Sequence, residues 1–353
     1  MCGKSSCPLL LRYYSGMKTR SMIDREEIDG SSPPAVFVGR FGYPRVLIGP
    51  MIPPEHGDTE VLDTPEMWIG KPLEEIVDYR YRLVRGTFQT NIRNVDSAGR
   101  LVELTRELAM ASRPADIEAY FTKRPAGGIS FHEESQPFGP SAPLRKISVS
   151  SIKLDQRIDK ATSDIDLKAK DAILDLYRSG TLISRIQKAF SVGAFGEKKK
   201  RKFVPTRWSI TAVDSTIGLE LLRTIKNSPL INEYRIYFGN FLDNRWAVIF
   251  LPTSWRYELI EAWYPKTIWN PYGSEIEIVN SWEFLDGRRT YAEIGGCYYA
   301  ARMAVGEVLE KERRQAGVVI LREAHPGYVL PIGVWNVREH VRQTLKNSPK
   351  KYP

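Results

Sequence analysis

The chain has 353 residues, 42% of them hydrophobic and 26% charged, which suits one large or two ordinary domains and excludes a wholly disordered chain. Lysine and arginine number 51 against 42 acids, a net charge of +9 that favours polyanionic partners such as nucleic acid or a phosphorylated ligand. No run approaches the length of a membrane span, the N-terminal apolar run Cys7 to Leu11 is too short for a signal-peptide core, and only Cys2, Cys7 and Cys297 are cysteines. A cytoplasmic protein with no membrane partner is expected.

In chain order, residues 1–34 read as a loosely packed arm, with basic residues followed by the Gly/Ser/Pro stretch from Gly30 to Pro34. Ala35 to Met51 is β-branched and aromatic but broken by Gly and Pro, so it predicts two short strands around a turn, with Arg40, Tyr43 and Arg45 near that turn. Helical spacing follows at Pro72 to Leu83 and Ser97 to Ala111, and a third helix is expected over Pro114 to Lys123. Arg124 to Leu144 has no apolar period and reads as a long loop, functional or a linker.

Helices are predicted at Leu167 to Arg178 and Ile183 to Phe190, and another from Gly295 toward Gln315. Strands are predicted at Tyr234 to Phe238, Trp246 to Leu251, Ile276 to Val279, Gly317 to Arg322 and Tyr328 to Val334. The fold class is therefore α/β or α+β, with a helix-rich N-terminal half and a mixed sheet with packing helices in the C-terminal half. The expected organisation is an arm (1–34), an N-terminal region (35–145), a C-terminal region carrying the main motifs (146–342) and a flexible tail (343–353).

The chain lacks a Walker A loop, a strand-linked GxGxxG and an HExxH helix. Cys2 and Cys7 could supply half of a zinc knuckle, but structural zinc takes four ligands, so zinc is not expected and no metal site is assigned. The basic run Lys198, Lys199, Lys200, Arg201 and Lys202 is a candidate DNA contact, against the plainer reading of a solvated surface. Immediately after it, Arg207, Trp208, Ser209 and Thr211 combine a guanidinium, an indole and two hydroxyls. That combination suits phosphate pairing and base stacking. The competing reading has Trp208 and Ile210 in the core, with Ser209 or Thr211 capping a helix that begins near Asp214.

Arg302, on an otherwise apolar helix face, needs either a buried carboxylate or a bound anion. Glu323, His325, Tyr328, Trp335, Arg338 and Glu339 gather around two predicted strand ends, where clefts or ion-pair networks form. Glu323 and His325, two apart, would share a strand face.

The strings CGKSSCPLL, GPSAPL, SDIDLKAKDA, VPTRWSITAVD, RTYAEIGGCYYAARMAVGE and ILREAHPGYVLPIGVWNVREHVR together resemble the archaeal Nre family of DNA repair proteins, over residues 2 to about 342. The resemblance implies a cytoplasmic protein of the DNA damage response. Family members often carry four N-terminal cysteines, of which this chain keeps Cys2 and Cys7. NreA-type members also end in a sliding-clamp box with an aromatic pair, whereas here Gln343 is followed by Thr344, Leu345 and Lys346, so the clamp is a partner with a degenerate motif. The pattern is also distantly similar to DNA-modifying ADP-ribosyltransferases of the DarT type, which use NAD.

That similarity implies a site for NAD, ADP-ribose or a nucleotide, with Glu323 or Glu339 as the carboxylate near the ribose and Arg45 or Arg207 at the pyrophosphate. The sharpest form has Arg45, Arg207, Glu323 and Arg338 converging on one pocket, with Trp208 and Arg302 as further ligand-binding candidates. The alternative is that each arginine pairs with a local acid. An enzyme with Glu323 as its catalytic group and a noncatalytic adaptor that binds DNA or the clamp both remain open.

Overall fold

The computed structural model describes residues 8–23, 26–96, 99–127, 139–242, 244–265, 270, 272–288, 290–324 and 334–353. They form an α+β protein, the expected class, in two compact units, one built from residues 10–130 and 137–213 and the other from 214–353.

The first unit follows α1 (Pro8–Met22) with β1 (Glu27–Ser32), β2 (Val36–Val38), β3 (Arg45–Ile52), α2 (Leu73–Arg82), β4 (Val84–Asn91), α3 (Arg100–Ala109), β5 (Ala115–Phe121) and β6 (Ser141–Val149). Then come α4 (Gln156–Ser163), α5 (Ala169–Arg178), α6 (Ile183–Ser191) and α7 (Thr206–Ile225), the last of which continues into the second unit. The strands make one sheet in the order β1-β5-β6-β4-β3-β2, parallel only between β4 and β6.

This sheet was not expected in a helix-rich half, and three of its strands lie in segments read otherwise, the first being β1, which lies within the residues read as a loosely packed arm and pairs with β5. Residues 115–121 form β5 rather than part of a helix. Ala115, Ile117, Ala119 and Phe121 are buried while Asp116 and Glu118 face outward, a two-residue period that a helix cannot bury. The end of the expected loop, from Ser141, is β6.

The helices of this unit carry their apolar faces at helical spacing, as with Leu104 and Leu108 of α3, four residues apart. Asp155 caps α4 by accepting from the amides of Arg157 (2.9 Å) and Ile158 (3.3 Å). On the buried face of α6, Arg185 donates to Glu60 (2.7 Å) and Lys188 to Asp63 (2.9 Å), while Arg80 donates to Asp63 as well.

The second unit holds β7 (Tyr234–Phe241), β8 (Asn244–Leu251), β9 (Arg256–Trp263), β10 (Glu277–Glu283), α8 (Gly296–Glu312), β11 (Gly317–Ala324), α9 (Val334–Thr344) and β12 (Lys350–Tyr352). Its sheet runs β10-β9-β11-β8-β7-β12 and is parallel only between β9 and β11. Trp246, Val248 and Phe250 of β8, Tyr257 and Leu259 of β9, and Val318 and Ile320 of β11 share a core with Ala301, Ala304 and Val305 of α8 and Val337 and Val341 of α9. The alanines keep α8 slim where it meets that core. The strand expected at Tyr328 to Val334 falls mostly outside the described residues, and Val334 opens a helix.

Candidate nucleic-acid interface

The β2–β3 hairpin closes through Gly39 N–H to Leu47 O (2.8 Å) and Arg45 N–H to Gly42 O (2.9 Å). Gly42 has φ +81°, and a Cβ there would lie 2.7 Å from Arg45 O, so the turn needs glycine. The tip this builds is unusually apolar for an exposed loop. Phe41 is 80% exposed, and the Arg40 guanidinium lies 4.9 Å from its ring centroid.

Helix α7 begins beside this tip. The amides of Trp208 and Ser209 donate to Pro205 O at 2.8 and 2.9 Å, so the helix starts eight residues earlier than the Asp214 expectation. Thr206 Oγ1 accepts from Val38 N–H at 2.8 Å, fastening the helix start to β2. Trp208 is exposed rather than a core plug, and its ring lies 5.4 Å from that of Tyr43, itself exposed at the hairpin tip. Ile210 and Ser209 are buried, as the competing reading expected for Ile210.

A third segment joins them. Ile92 N–H donates to Pro44 O (3.0 Å) and Phe203 N–H to Ile92 O (2.8 Å), while Arg45 pairs in register with Asn91. The three strips, residues 36–51, 84–95 and 201–213, contain not one of the chain's 42 acids. Arg45, Arg93, Lys202 and Arg207 are exposed on them. Strips with cations, exposed rings and no carboxylates of their own attract phosphate backbone and offer faces for bases.

The basic run flanks this surface but is not uniform. Lys198, Lys199 and Lys200 form an exposed 3-10 turn, with Lys200 donating to Glu197 at 2.9 Å. Lys202 is exposed. Arg201 is engaged in the fold, its Nε donating to Gly196 O (2.7 Å) and its Nη2 to Thr162 O (2.8 Å) and Asp164 O (2.9 Å). Burial, with Arg106 nearby, lowers its pKa.

The remaining expected residues lie in the second unit, whereas Arg45 and Arg207 belong to the first. Of the two partners expected for Arg302, the structure supplies the carboxylate. Arg302 Nη1 donates to Glu283 Oε2 at 2.8 Å, and Glu283 also accepts from Tyr298 OH (2.9 Å) and Trp255 Nε1 (3.2 Å). Arg338 donates to Glu307 and Glu339, each at 2.6 Å, matching the local-acid alternative. Glu323 accepts from Arg245 (3.3 Å) and from the hydroxyl of Tyr264, whose pKa that carboxylate raises.

Arg322, which the sequence reading passed over, is buried and donates to Glu261 at 2.7 Å and Asn244 at 2.8 Å. Cys2, Cys7, His325, Tyr328 and the side chain of Trp335 lie outside the described residues. Among the described residues no cluster of three or more His, Cys, Asp or Glu could hold a metal ion. No helix among them is long and apolar enough to cross a membrane.

Sequence reading placed Arg40, Tyr43 and Arg45 near the turn but gave no role to Phe41 or Arg93. Their signal was the absence of acids, legible only once three separate strips were known to adjoin.

Two mixed-sheet units, one carrying three adjoining strips with exposed rings and cations and no acids of their own, define an α+β protein. Models of the Archaeal Nre N-terminal and C-terminal regions match residues 1–270 and 283–353, and the chain belongs to the archaeal Nre family. It is 40% identical to the DNA repair protein NreB of Archaeoglobus fulgidus over 97% of this chain and 85% of that protein. Identity to the DNA repair protein NreA of the same organism is 35%, over 100% of this chain and 88% of that protein. With the DNA repair protein NreA of Haloferax volcanii it is 32%, over 92% and 80%. No solved structure matches the chain.

Proposed function

We propose that this chain is a cytoplasmic DNA repair protein that binds DNA through the surface formed by the β2–β3 hairpin, residues 91–93 and the start of α7. The curated relatives are named DNA repair proteins, which supports the repair role. The observation that carries the binding role is the convergence of three acid-free strips bearing Arg45, Arg93, Lys202 and Arg207. Fluorescence anisotropy with a labelled duplex at several salt concentrations is the test. The double variant Arg45→Gln, Arg207→Gln weakens binding at low salt and flattens the salt dependence by up to about 0.9 per phosphate contact removed. An unchanged slope and affinity would show that these arginines make no phosphate contact.

The Tyr264 and Arg245 contacts of Glu323 give the enzymatic reading its one support, since both groups orient a half-buried carboxylate. Titration with NAD, nicotinamide and ADP-ribose decides it. Saturable binding weakened by Arg245→Ala supports such a site, and its absence leaves the adaptor reading, in which calorimetry against the sliding clamp tests that partner.

A further inference from the structure

We propose that the ring cluster Phe41, Tyr43 and Trp208 is a stacking platform for unpaired bases, so that the preferred ligand is single-stranded DNA. This rests on the DNA-binding reading above and specifies which form of DNA the surface takes. Duplex DNA hides its base faces and presents phosphate, so arginine and lysine alone would serve it. Here the cations are interleaved with three exposed rings.

Phe41 is 80% exposed, Tyr43 46% and Trp208 45%, although folding ordinarily buries such side chains at a gain of about 1.5–3 kcal/mol each. Phe41 and Tyr43 stand at the tip of a hairpin whose turn is set by glycine, and Trp208 on the first turn of α7, with backbone bonds tying these strips together, so the rings are held in place before any ligand arrives. Tyr43 packs on Trp208 at 5.4 Å between ring centroids with planes 54° apart, which leaves a face of the indole for a base. Arg40 lies over one face of the Phe41 ring, and a base on the opposite face would stack on a ring already backed by a cation. Leu47, 48% exposed, continues the apolar surface along β3 on the same face as Arg45. No carboxylate on the three strips opposes a phosphate chain running past Arg45, Arg93, Lys202 and Arg207.

The test compares a fluorescein-labelled oligothymidylate of about 16 nucleotides with a duplex of the same length, using the full chain. Phe41→Ala and Trp208→Ala each lower affinity for the single strand about five- to hundredfold, the range for loss of one stacked base, and change duplex affinity less than about twofold. Phe41→Trp restores single-strand binding, which a merely structural role for the ring would not allow. Circular dichroism of the variants shows that they fold, as expected for exposed positions. Duplex binding as tight as single-strand binding, or alanine variants with unchanged oligothymidylate affinity, would overturn the stacking platform and leave the DNA-binding reading standing. Failure of both DNA forms to bind would overturn both.

Discussion

Arg302 and Glu283 meet at 2.8 Å with their side chains 2% and 0% exposed, a charge pair closed off from solvent between α8 and the edge strand β10. Two further donors, Tyr298 and Trp255, fill the carboxylate, and the rings of Tyr298 and Tyr299 lie beneath the guanidinium. Such a pair fixes geometry more than it adds net stability, because both ions were taken out of water to make it.

Breaking it from one side is therefore costly. Glu283→Gln keeps the shape but strands the Arg302 charge, and destabilises the protein by about 3–5 kcal/mol. The double variant Glu283→Gln, Arg302→Met loses less than the sum of the single changes. Urea unfolding of all three proteins measures this, and strict additivity would show the two groups to be uncoupled.

His340 gives the fold a pH dependence. It is buried on α9, stacked 5.2 Å from Phe241 and edge-on to Trp246, and burial, with Arg322 nearby, lowers its pKa to about 3. Below the ordinary value of about 6.5 the unfolded chain binds a proton that the folded chain refuses. The stability contributed by neutral His340 is thus fully present above about pH 6.5 and falls by about 1.4 kcal/mol per pH unit toward pH 3. In denaturant titrations between pH 6.5 and 5, His340→Phe has a shallower loss by that amount.

The basic run separates into lysines that face solvent and an arginine built into the fold. Replacing Lys198, Lys199 and Lys202 with Gln flattens the salt dependence of DNA binding and leaves the unfolding midpoint nearly unchanged. Arg201→Gln instead removes donors from three backbone carbonyls and costs about 1–3 kcal/mol. Thermal unfolding distinguishes the two, and equal midpoints would show that the Arg201 contacts add nothing.

Gly193 ends α6 with φ +63°, and a Cβ there would sit 2.8 Å from Lys202 O and 3.0 Å from Val95 Cγ1. Gly193→Ala carries the left-handed backbone penalty, about 1–2 kcal/mol, and displaces the strip that carries Lys202. The expected result is a lower unfolding midpoint together with weaker DNA binding; a midpoint at or above that of the parent protein would contradict it.

Where the apolar period was strong the sequence could be read nearly to the residue, as with α5, α6 and the strands at Tyr234, Trp246 and Gly317. β5 escaped because ADIEAYF is short and opens with alanine after Pro114, which resembles a helix start until its strict alternation is weighed. A helix start near Asp214 is too late because a proline before it marks no visible helix in the sequence, whereas the Pro205 carbonyl receives the first amides of α7. For Arg302 the sequence could demand a partner but not name it, since Glu283 is 19 residues away on another element. The candidate surface was half legible. Arg207 and Trp208 stood out together, but an aromatic at a hairpin tip carries no mark in sequence that tells it from one in the core.

The pairing of Lys350 to Tyr352 with β7 gives the C-terminal segment a prior engagement. Gln343 is still in the last turn of α9, and Asn347 donates to Phe238 O at 2.7 Å, so these residues are committed on both sides of the bend. Any partner that reads this segment as an extended peptide competes with the molecule's own sheet, and binds the intact chain more weakly than the excised peptide by the fraction of time the strand is detached. Affinities measured on synthetic peptides from this end are upper limits for the whole protein.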